Sequence, residues 1–420
     1  KYTLQTVIFD KHSPAPQLQR ELLDVVDVRT PSTNTVDLIL ERPNYLLEGT
    51  LAEVPILPAH IYSRRGVRNG KVNTLPVGSG PFVAARRQDK ISLVLERNDQ
   101  YWGEAARVKQ VVVRVIRDPG KALAALRNNE VDILSNLYHG YYPKQLNRGR
   151  LKTHYRVLRL HPYRMRLMLF NTRRDPLKEL KVRQALVRLA DRQRMIREIR
   201  GGLGQVLSAP IWPLSSWYNA GIHPTSFDRK AAAELLDSAG WRLHTRRKRR
   251  ERLGHPLRLR ILRTRDSKEM GQAALILQKE FLAVGIKAVV EAGDYHFVLA
   301  RIRRAEFEVA LLGLAPRPEA DLGHWFNSDG PLRLGGKGTS VREAAFDTLK
   351  ATPSATGRLR NARALHRILH DRPPGVVLYA PTELMVMDKR LAGVANNGRW
   401  PKLVGLYFGA EEKNSDAPKL

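Results

Sequence analysis

Apolar and polar positions alternate in short runs from Val25 onward, and each run predicts an element. Val25–Val28 and Thr35–Leu40 read as strands, the second half-buried by its alternation and closed by Arg42-Pro43. A turn-rich stretch, Leu75-Pro-Val-Gly-Ser-Gly-Pro-Phe82, leads to two further strands at Ile91–Glu96 and Gln110–Ile116. Asp118-Pro119 opens a helix that runs through Leu126 to Asn129, because proline is tolerated in a first turn. A strand at Val131–Leu134 follows, so this region predicts a strand, helix, strand crossover of a mostly parallel sheet.

The period changes after the apolar piece Met165–Phe170. Val182, Ala185, Leu186, Leu189, Ile196 and Ile199 recur at near-helical spacing and predict one helix over Lys181–Arg200, stopped by Gly201-Gly202. Helices are expected at Arg229–Ala239, Gly271–Val284, Tyr295–Arg304, Val341–Lys350 and Gly357–Leu369. Strands at Leu257–Leu262, Ile286–Val290, Glu308–Leu312 and Val376–Tyr379 alternate with them. This alternation argues an α/β fold with helices layered on sheets. A chain of 420 residues exceeds what one core supports, so two lobes are expected.

Charge changes the picture more than composition does. Lys and Arg number 72 against 41 Asp and Glu, a formal charge of +31. Such a field concentrates anionic ligands, anionic cell-envelope polymers or nucleic acid, whereas scattered arginines simply make a solvated surface. The one dense run, Arg246 to Arg250 with Arg252 beyond it, reads as an exposed loop, and nucleic acid is not an expected partner. Cysteine is absent, which excludes disulfides, thiolate metal sites and cysteine nucleophiles. The longest apolar run, Val309–Ala315, is far below the roughly 20 residues that span a bilayer. Lys1–Phe9 shows no charged-then-apolar leader, so the expectation is a removed signal peptide or a start inside a longer protein.

Motifs for catalysis or cofactors are lacking. His366 and His370 stand four apart on a predicted helix, but no metalloprotease glutamate follows His366 and no third ligand is evident, so both read as helix-face histidines. Gly201-Gly-Leu-Gly204 follows a helix instead of a strand and reads as a helix stop, not a nucleotide loop. No serine sits in a nucleophile elbow. The expectation is a binding protein without enzymatic activity, cofactor or metal.

An ordered series of segments carries a resemblance. It comprises Pro76-Val-Gly-Ser-Gly-Pro-Phe82, Glu96-Arg-Asn98 with Tyr101-Trp-Gly103, Ala124-Ala-Leu126 leading to Glu130-Val-Asp-Ile133, and Phe170-Asn-Thr172. Val182-Arg-Gln-Ala-Leu186 with Asp191-Arg192, Tyr218-Asn219, Ala239-Gly-Trp241, Gly285-Ile-Lys-Ala-Val289, Phe307-Glu-Val-Ala-Leu-Leu-Gly313 and Pro373-Pro-Gly-Val-Val-Leu-Tyr379 complete it. Taken together they resemble family 5 of the extracellular solute-binding proteins, the oligopeptide-, dipeptide- and nickel-binding proteins of ABC importers. The resemblance implies a two-lobed periplasmic-binding-protein fold of the peptide-binding class, hinged between lobes that close on ligand. It assigns 1–74 to the remainder of a small inserted subdomain of the first lobe, 75–168 with 379–420 to the first lobe proper, and 169–378 to the second. It further implies a peptide or peptide-like ligand, an ABC permease as partner, a periplasmic or extracytoplasmic location with a membrane anchor as an option, and a monomer. A ligand-sensing domain of a transcriptional regulator, or a degenerate paralogue that no longer binds, are the alternatives.

The same resemblance proposes site residues. Many peptide binders carry a Trp, then Ala-Asp-Tyr-Pro-Asp, in the loop after Gly313, where the Asp holds the ligand's amino terminus. Here Leu314 takes the Trp position and Arg317 lies near the Asp position, which would favour a carboxylate or phosphate over an ammonium. The alternative is a shifted loop in which Glu319 or Asp321 anchors the ligand. Tyr138, His139 and Tyr141, on a loop after the Val131–Leu134 strand, either stack on ligand or pack the lobe surface beside Pro143. Trp212, Trp217 and Tyr218 lie in a proline-rich segment the family uses near the ligand mouth, and Trp325 follows the Arg317 loop.

Overall fold

The computed structural model describes residues 1–52, 54–68, 70–147, 149–315, 341–393 and 401–408. The chain divides into two compact units. One holds Lys1–Pro16, Pro55–Pro162 and Thr382–Leu420; the other holds Gln17–Val54 and Tyr163–Pro381.

In chain order the strands are β1 (Val25–Ser32), β2 (Thr35–Leu40), β3 (Phe82–Gln88), β4 (Ser92–Arg97), β5 (Gln110–Arg114), β6 (Ile133–Leu134), β7 (Tyr155–Leu160), β8 (Met165–Phe170) and β9 (Gly204–Gln205). There follow β10 (Arg242–His244), β11 (Arg249–Arg252), β12 (His255–Pro256), β13 (Arg258–Thr264), β14 (Lys287–Gly293), β15 (Val309–Leu314), β16 (Gly375–Pro381) and β17 (Glu383–Asp388).

The Tyr163–Pro381 unit is built on a six-stranded sheet in the order β14-β13-β15-β8-β16-β9. β13, β14 and β15 are parallel, while β8 runs antiparallel to both β15 and β16. Helices cover both faces, which is why the central strands read as near-continuous apolar runs. Met168 and Phe170 of β8 join Ile261, Val309 and Leu311 in one core layer under the Leu180–Arg188, Arg192–Arg200, Arg229–Ser238 and Lys268–Ala283 helices. Met165, Leu167 and Leu169 face the other layer with Ala310 and Leu312, under the Tyr295–Arg303, Val341–Ala351 and Ala355–Asp371 helices. The hairpin β1–β2 belongs to this unit. Buried Asp24 secures it, accepting from Arg42 Nε at 2.6 Å, Asn44 Nδ2 at 2.9 Å and Lys350 Nζ at 2.7 Å.

Three expectations are corrected. The helix predicted over Lys181–Arg200 is two helices, Leu180–Arg188 and Arg192–Arg200, because Asp191 starts a new one by accepting the Arg194 N–H at 3.0 Å. The run Arg246–Arg250 is an exposed loop only in part: Arg246, Arg247 and Lys248 form the exposed turn of the β10–β11 hairpin, while Arg249 and Arg250 begin its second strand. Arg250 is 2% exposed; it donates to Trp241 O at 2.6 Å and Val284 O at 2.8 Å and pairs with Asp237 at 2.7 Å. Finally, β5 and β6 are not parallel neighbours in one sheet. The intervening Pro119–Arg127 helix, capped by Asp118, carries the chain from one antiparallel sheet to another.

Those two sheets form the framework of the other unit, with strand orders β3-β4-β5 and β6-β17-β7. The second packs Leu158, Leu160, Met385 and Met387 against Leu391 and Leu406. The first is unusual. Register and alternation place Phe82, Ala84, Ile91, Leu93, Leu95, Val111, Val113 and Val115 on one face, yet none of these eight is buried. No described helix is long and apolar enough to cross a membrane.

Candidate functional site

In open α/β sheets, ligands meet the carboxyl ends of the parallel strands. In the Tyr163–Pro381 unit those ends are Thr264, Gly293 and Leu314, and β16 ends at the same edge because Tyr379 pairs with Arg166 near the start of β8. The Lys268–Ala283 helix begins there, with the Ser267 hydroxyl accepting the Met270 N–H at 3.2 Å. Its first turn presents Glu269, which accepts from Arg166 Nε at 2.9 Å and from Arg200 Nη1 at 2.7 Å. The Tyr379 hydroxyl donates to Glu269 Oε2 at 3.4 Å. Burial opposes ionisation of Glu269, but the two guanidiniums outweigh it and hold the carboxyl below the usual range. Burial and the Glu269 charge push the Tyr379 hydroxyl far up, so it stays a donor.

The segment after β9 packs its aromatic residues inward on the opposite layer. Trp212 and Trp217 are buried in the core, with the Tyr163 ring 5.0 Å from Trp212. Fully buried His366 holds this segment. Its Nδ1 accepts the Asn219 N–H at 3.0 Å, which leaves the proton on Nε2 to donate to Ser208 Oγ at 2.9 Å. Ser208 in turn donates to the Tyr218 hydroxyl at 3.3 Å. Burial above all, then His370 and Arg367, push the His366 imidazole down to about 4, so it is neutral at physiological pH.

In the other unit the aromatic loop follows β6. Buried Leu137 anchors it, its N–H donating to Leu384 O of β17 at 2.7 Å. His139–Tyr141 forms one 3₁₀ turn, before which the half-exposed Tyr138 ring lies tilted against His139 at 4.6 Å and meets Tyr141 edge-on at 5.4 Å. Gly140 lets the Tyr138 ring lie close over the turn, since a Cβ there would fall 2.6 Å from it. The loop stands at the edge where β7 ends and β17 begins, since Leu160 pairs with Glu383.

The sequence model described as "Bacterial extracellular solute-binding proteins, family 5 Middle" matches residues 1–331. The chain belongs to this family. It is 26% identical over 289 residues to the nickel-binding periplasmic protein of Escherichia coli K12, covering 67% of this chain and 54% of that one. It is 21% identical over 386 residues to the dipeptide-binding protein of the same organism, covering 88% and 69%. Protein XP55 of Streptomyces lividans is matched at 29% identity over 57% of this chain and 43% of its own length. The chain thus spans about half the length of the nickel-binding protein and XP55. Among solved structures, NikA from Brucella suis in complex with Fe(III)-EDTA superposes with a TM-score of 0.80 at 22% identity, over 97% of this chain and 83% of that one. The oligopeptide-binding protein AppA from Bacillus subtilis, in complex with a nonapeptide, gives 0.74 at 19% identity, over 97% and 82%. These likenesses establish the fold: a type II periplasmic-binding-protein architecture of family 5.

Within this family 5 fold the sequence-predicted residues fall into three groups. Tyr138, His139 and Tyr141 are together on one loop, partly exposed. Trp212, Trp217 and Tyr218 are together on one segment, the two tryptophans in the core and Tyr218 half-buried. Leu314 closes β15 and is buried, while Arg317 and Trp325 lie outside the described residues. Sequence reasoning missed the Arg166, Arg200, Glu269 and Tyr379 network, whose members are spread over more than 200 positions. One trace was visible: Arg166 is the lone charge inside the apolar run Met165–Phe170.

Proposed function

We propose that this chain is the solute-capturing part of an ABC importer's extracytoplasmic receptor, binding a peptide or peptide-like solute by lobe closure and handing it to a membrane permease. Family membership over residues 1–331 is the observation that carries this reading. The dipeptide-binding and nonapeptide-bound relatives support a peptide class, and the nickel-binding relative supports a metal chelate as the competing ligand. The exposed aromatic loop at Tyr138 supplies surface for stacking on ligand groups. The proposed ligand is acidic, a reading supported by the +31 charge and by Arg317 near the position of the family's anionic anchor. The receptor acts as a monomer, and the same charge would draw it to anionic envelope polymers.

A thermal-shift screen tests the reading, using pools of di- to pentapeptides of acidic, neutral and basic character together with nickel–histidine chelates. A ligand at 100 times its dissociation constant adds about 2.7 kcal/mol of stability. One stabilising pool is the expected result; cooperative melting with no shift from any pool overturns it. Arg317→Asp should weaken acidic peptides relative to basic ones.

A further inference from the structure

The β10-β11-β12 sheet sits at the amino ends of the parallel strands β13 and β14, opposite the carboxyl ends near which Glu269 and Tyr379 meet. β12 leads directly into β13, and the Arg250 N–H donates to Gly285 O, just before β14, at 2.8 Å. Two of its arginines fasten the sheet to the body of the unit. Arg250 bonds the Trp241 and Val284 carbonyls and pairs with Asp237. Arg252 lies 4.5 Å over the Trp241 ring and pairs with Glu179.

The other cations of this segment face outward. Arg242, Arg246, Arg247, Lys248 and Arg258 are exposed and Arg249 is half-buried. Within the segment they meet one carboxylate, Glu251, which Arg247 and Arg249 share at 3.3 and 2.6 Å. Arg242, Arg246, Lys248 and Arg258 pair with no carboxylate among the described residues. Like charges gathered this closely repel one another, so the folded chain gains nothing by holding them together. Leu253, in the turn between β11 and β12, is a second departure. It is 93% exposed and has φ +49°, a left-handed conformation that a bulky side chain adopts only at a cost. Neither burial nor backbone preference accounts for a leucine there.

We propose that this three-stranded sheet is a docking face for a bilayer rich in anionic lipid, its cations meeting the headgroups and Leu253 entering the interface. A soluble polyanion matches the charges but offers nothing to an exposed leucine, whereas a lipid interface takes both. Each Lys or Arg close to such a surface raises affinity about fivefold, an effect confined to about 10 Å at 0.1 M salt. Docking through the amino ends of the parallel strands leaves their carboxyl ends free. The face goes beyond the receptor reading and is independent of which solute the chain binds.

The test measures co-sedimentation of the full 420-residue chain with phosphatidylglycerol-containing and with pure phosphatidylcholine vesicles. Three variants are compared with the parent: Arg242→Gln with Arg246→Gln, Leu253→Asn, and Arg360→Gln with Arg363→Gln. The last removes the same charge from exposed positions on the Ala355–Asp371 helix. None of the arginines replaced is in an ion pair with a described residue, and asparagine tolerates the left-handed turn, so all three should melt as the parent does. The expected result is binding to the phosphatidylglycerol vesicles alone. It should weaken about twentyfold in the Arg242 and Arg246 variant and about tenfold in Leu253→Asn, and stay within about twofold in the Arg360 and Arg363 variant. An equal loss in the Arg360 and Arg363 variant overturns the face in favour of attraction by the whole molecule's charge. Undiminished binding by Leu253→Asn overturns the bilayer in favour of a polyanion, and no binding to either vesicle overturns the proposal outright. All of these outcomes leave the receptor reading standing.

Discussion

At the scale of single residues, His366 and Arg250 show how polar groups are held inside this chain. His366 is buried in the neutral form, and its proton affinity in the folded state is below that of an exposed imidazole. The unfolded chain therefore takes up the proton first as pH falls, so the stability His366 contributes is complete above pH 6.5 and lost progressively towards about pH 4. His366→Gln should be less stable at pH 7 but show a flatter melting-temperature profile between pH 6.5 and 4, measured by circular dichroism. Arg250 holds the carbonyls of Trp241 and Val284, which Arg250→Ala would leave without their donor. A loss of about 3 kcal/mol in urea unfolding is expected, whereas Arg246→Ala in the neighbouring turn should stay within about 0.5 kcal/mol. Neither role was legible in the sequence. An arginine in a run of arginines and a histidine on a helix carry no mark of burial until distant segments supply their partners.

At the scale of elements, much more could be read. The Arg229–Ser238, Lys268–Ala283, Tyr295–Arg303 and Ala355–Asp371 helices fall where apolar spacing put them, and each has its cap in the sequence as Asp228, Ser267, Asp294 or Ser354. The break between the Leu180–Arg188 and Arg192–Arg200 helices was hidden because Leu189 and Ile196 continue the apolar stripe across it. Asp191, a capping residue in mid-run, was the available signal. Ser267→Ala removes the cap that sets the first turn of the Lys268–Ala283 helix and should cost about 1 kcal/mol. The β1–β2 hairpin offers a second test. Asp24 is nearly buried; burial disfavours its charge, but Lys350 and Arg42 lower its pKa on balance, so its contribution is retained above the ordinary carboxylate range and lost in acid. Asp24→Asn should loosen the hairpin, seen as faster proteolysis between residues 25 and 54 at pH 7 with little change in overall melting.

At the scale of the whole molecule, family and fold were legible because they rest on the order of many short segments, while a ligand site depends on the few residues that order brings together. The same scale gives meaning to the partly open apolar face of the β3-β4-β5 sheet. Ile91, Val113 and Val115 are exposed there and five further apolar side chains only half-buried, on a chain whose formal charge is +31. One feature attracts copies of the molecule at contact and the other repels them at a distance. The repulsion has a range set by salt, about 10 Å at 0.1 M and about 3 Å at 1 M, whereas the attraction does not weaken. The protein should therefore behave as a charge-stabilised colloid, dispersed in dilute buffer and clustering as sodium chloride is raised. Light scattering across that range would register this as an osmotic second virial coefficient falling from positive to negative. Replacing Ile91 and Val113 by threonine should move the crossing to higher salt.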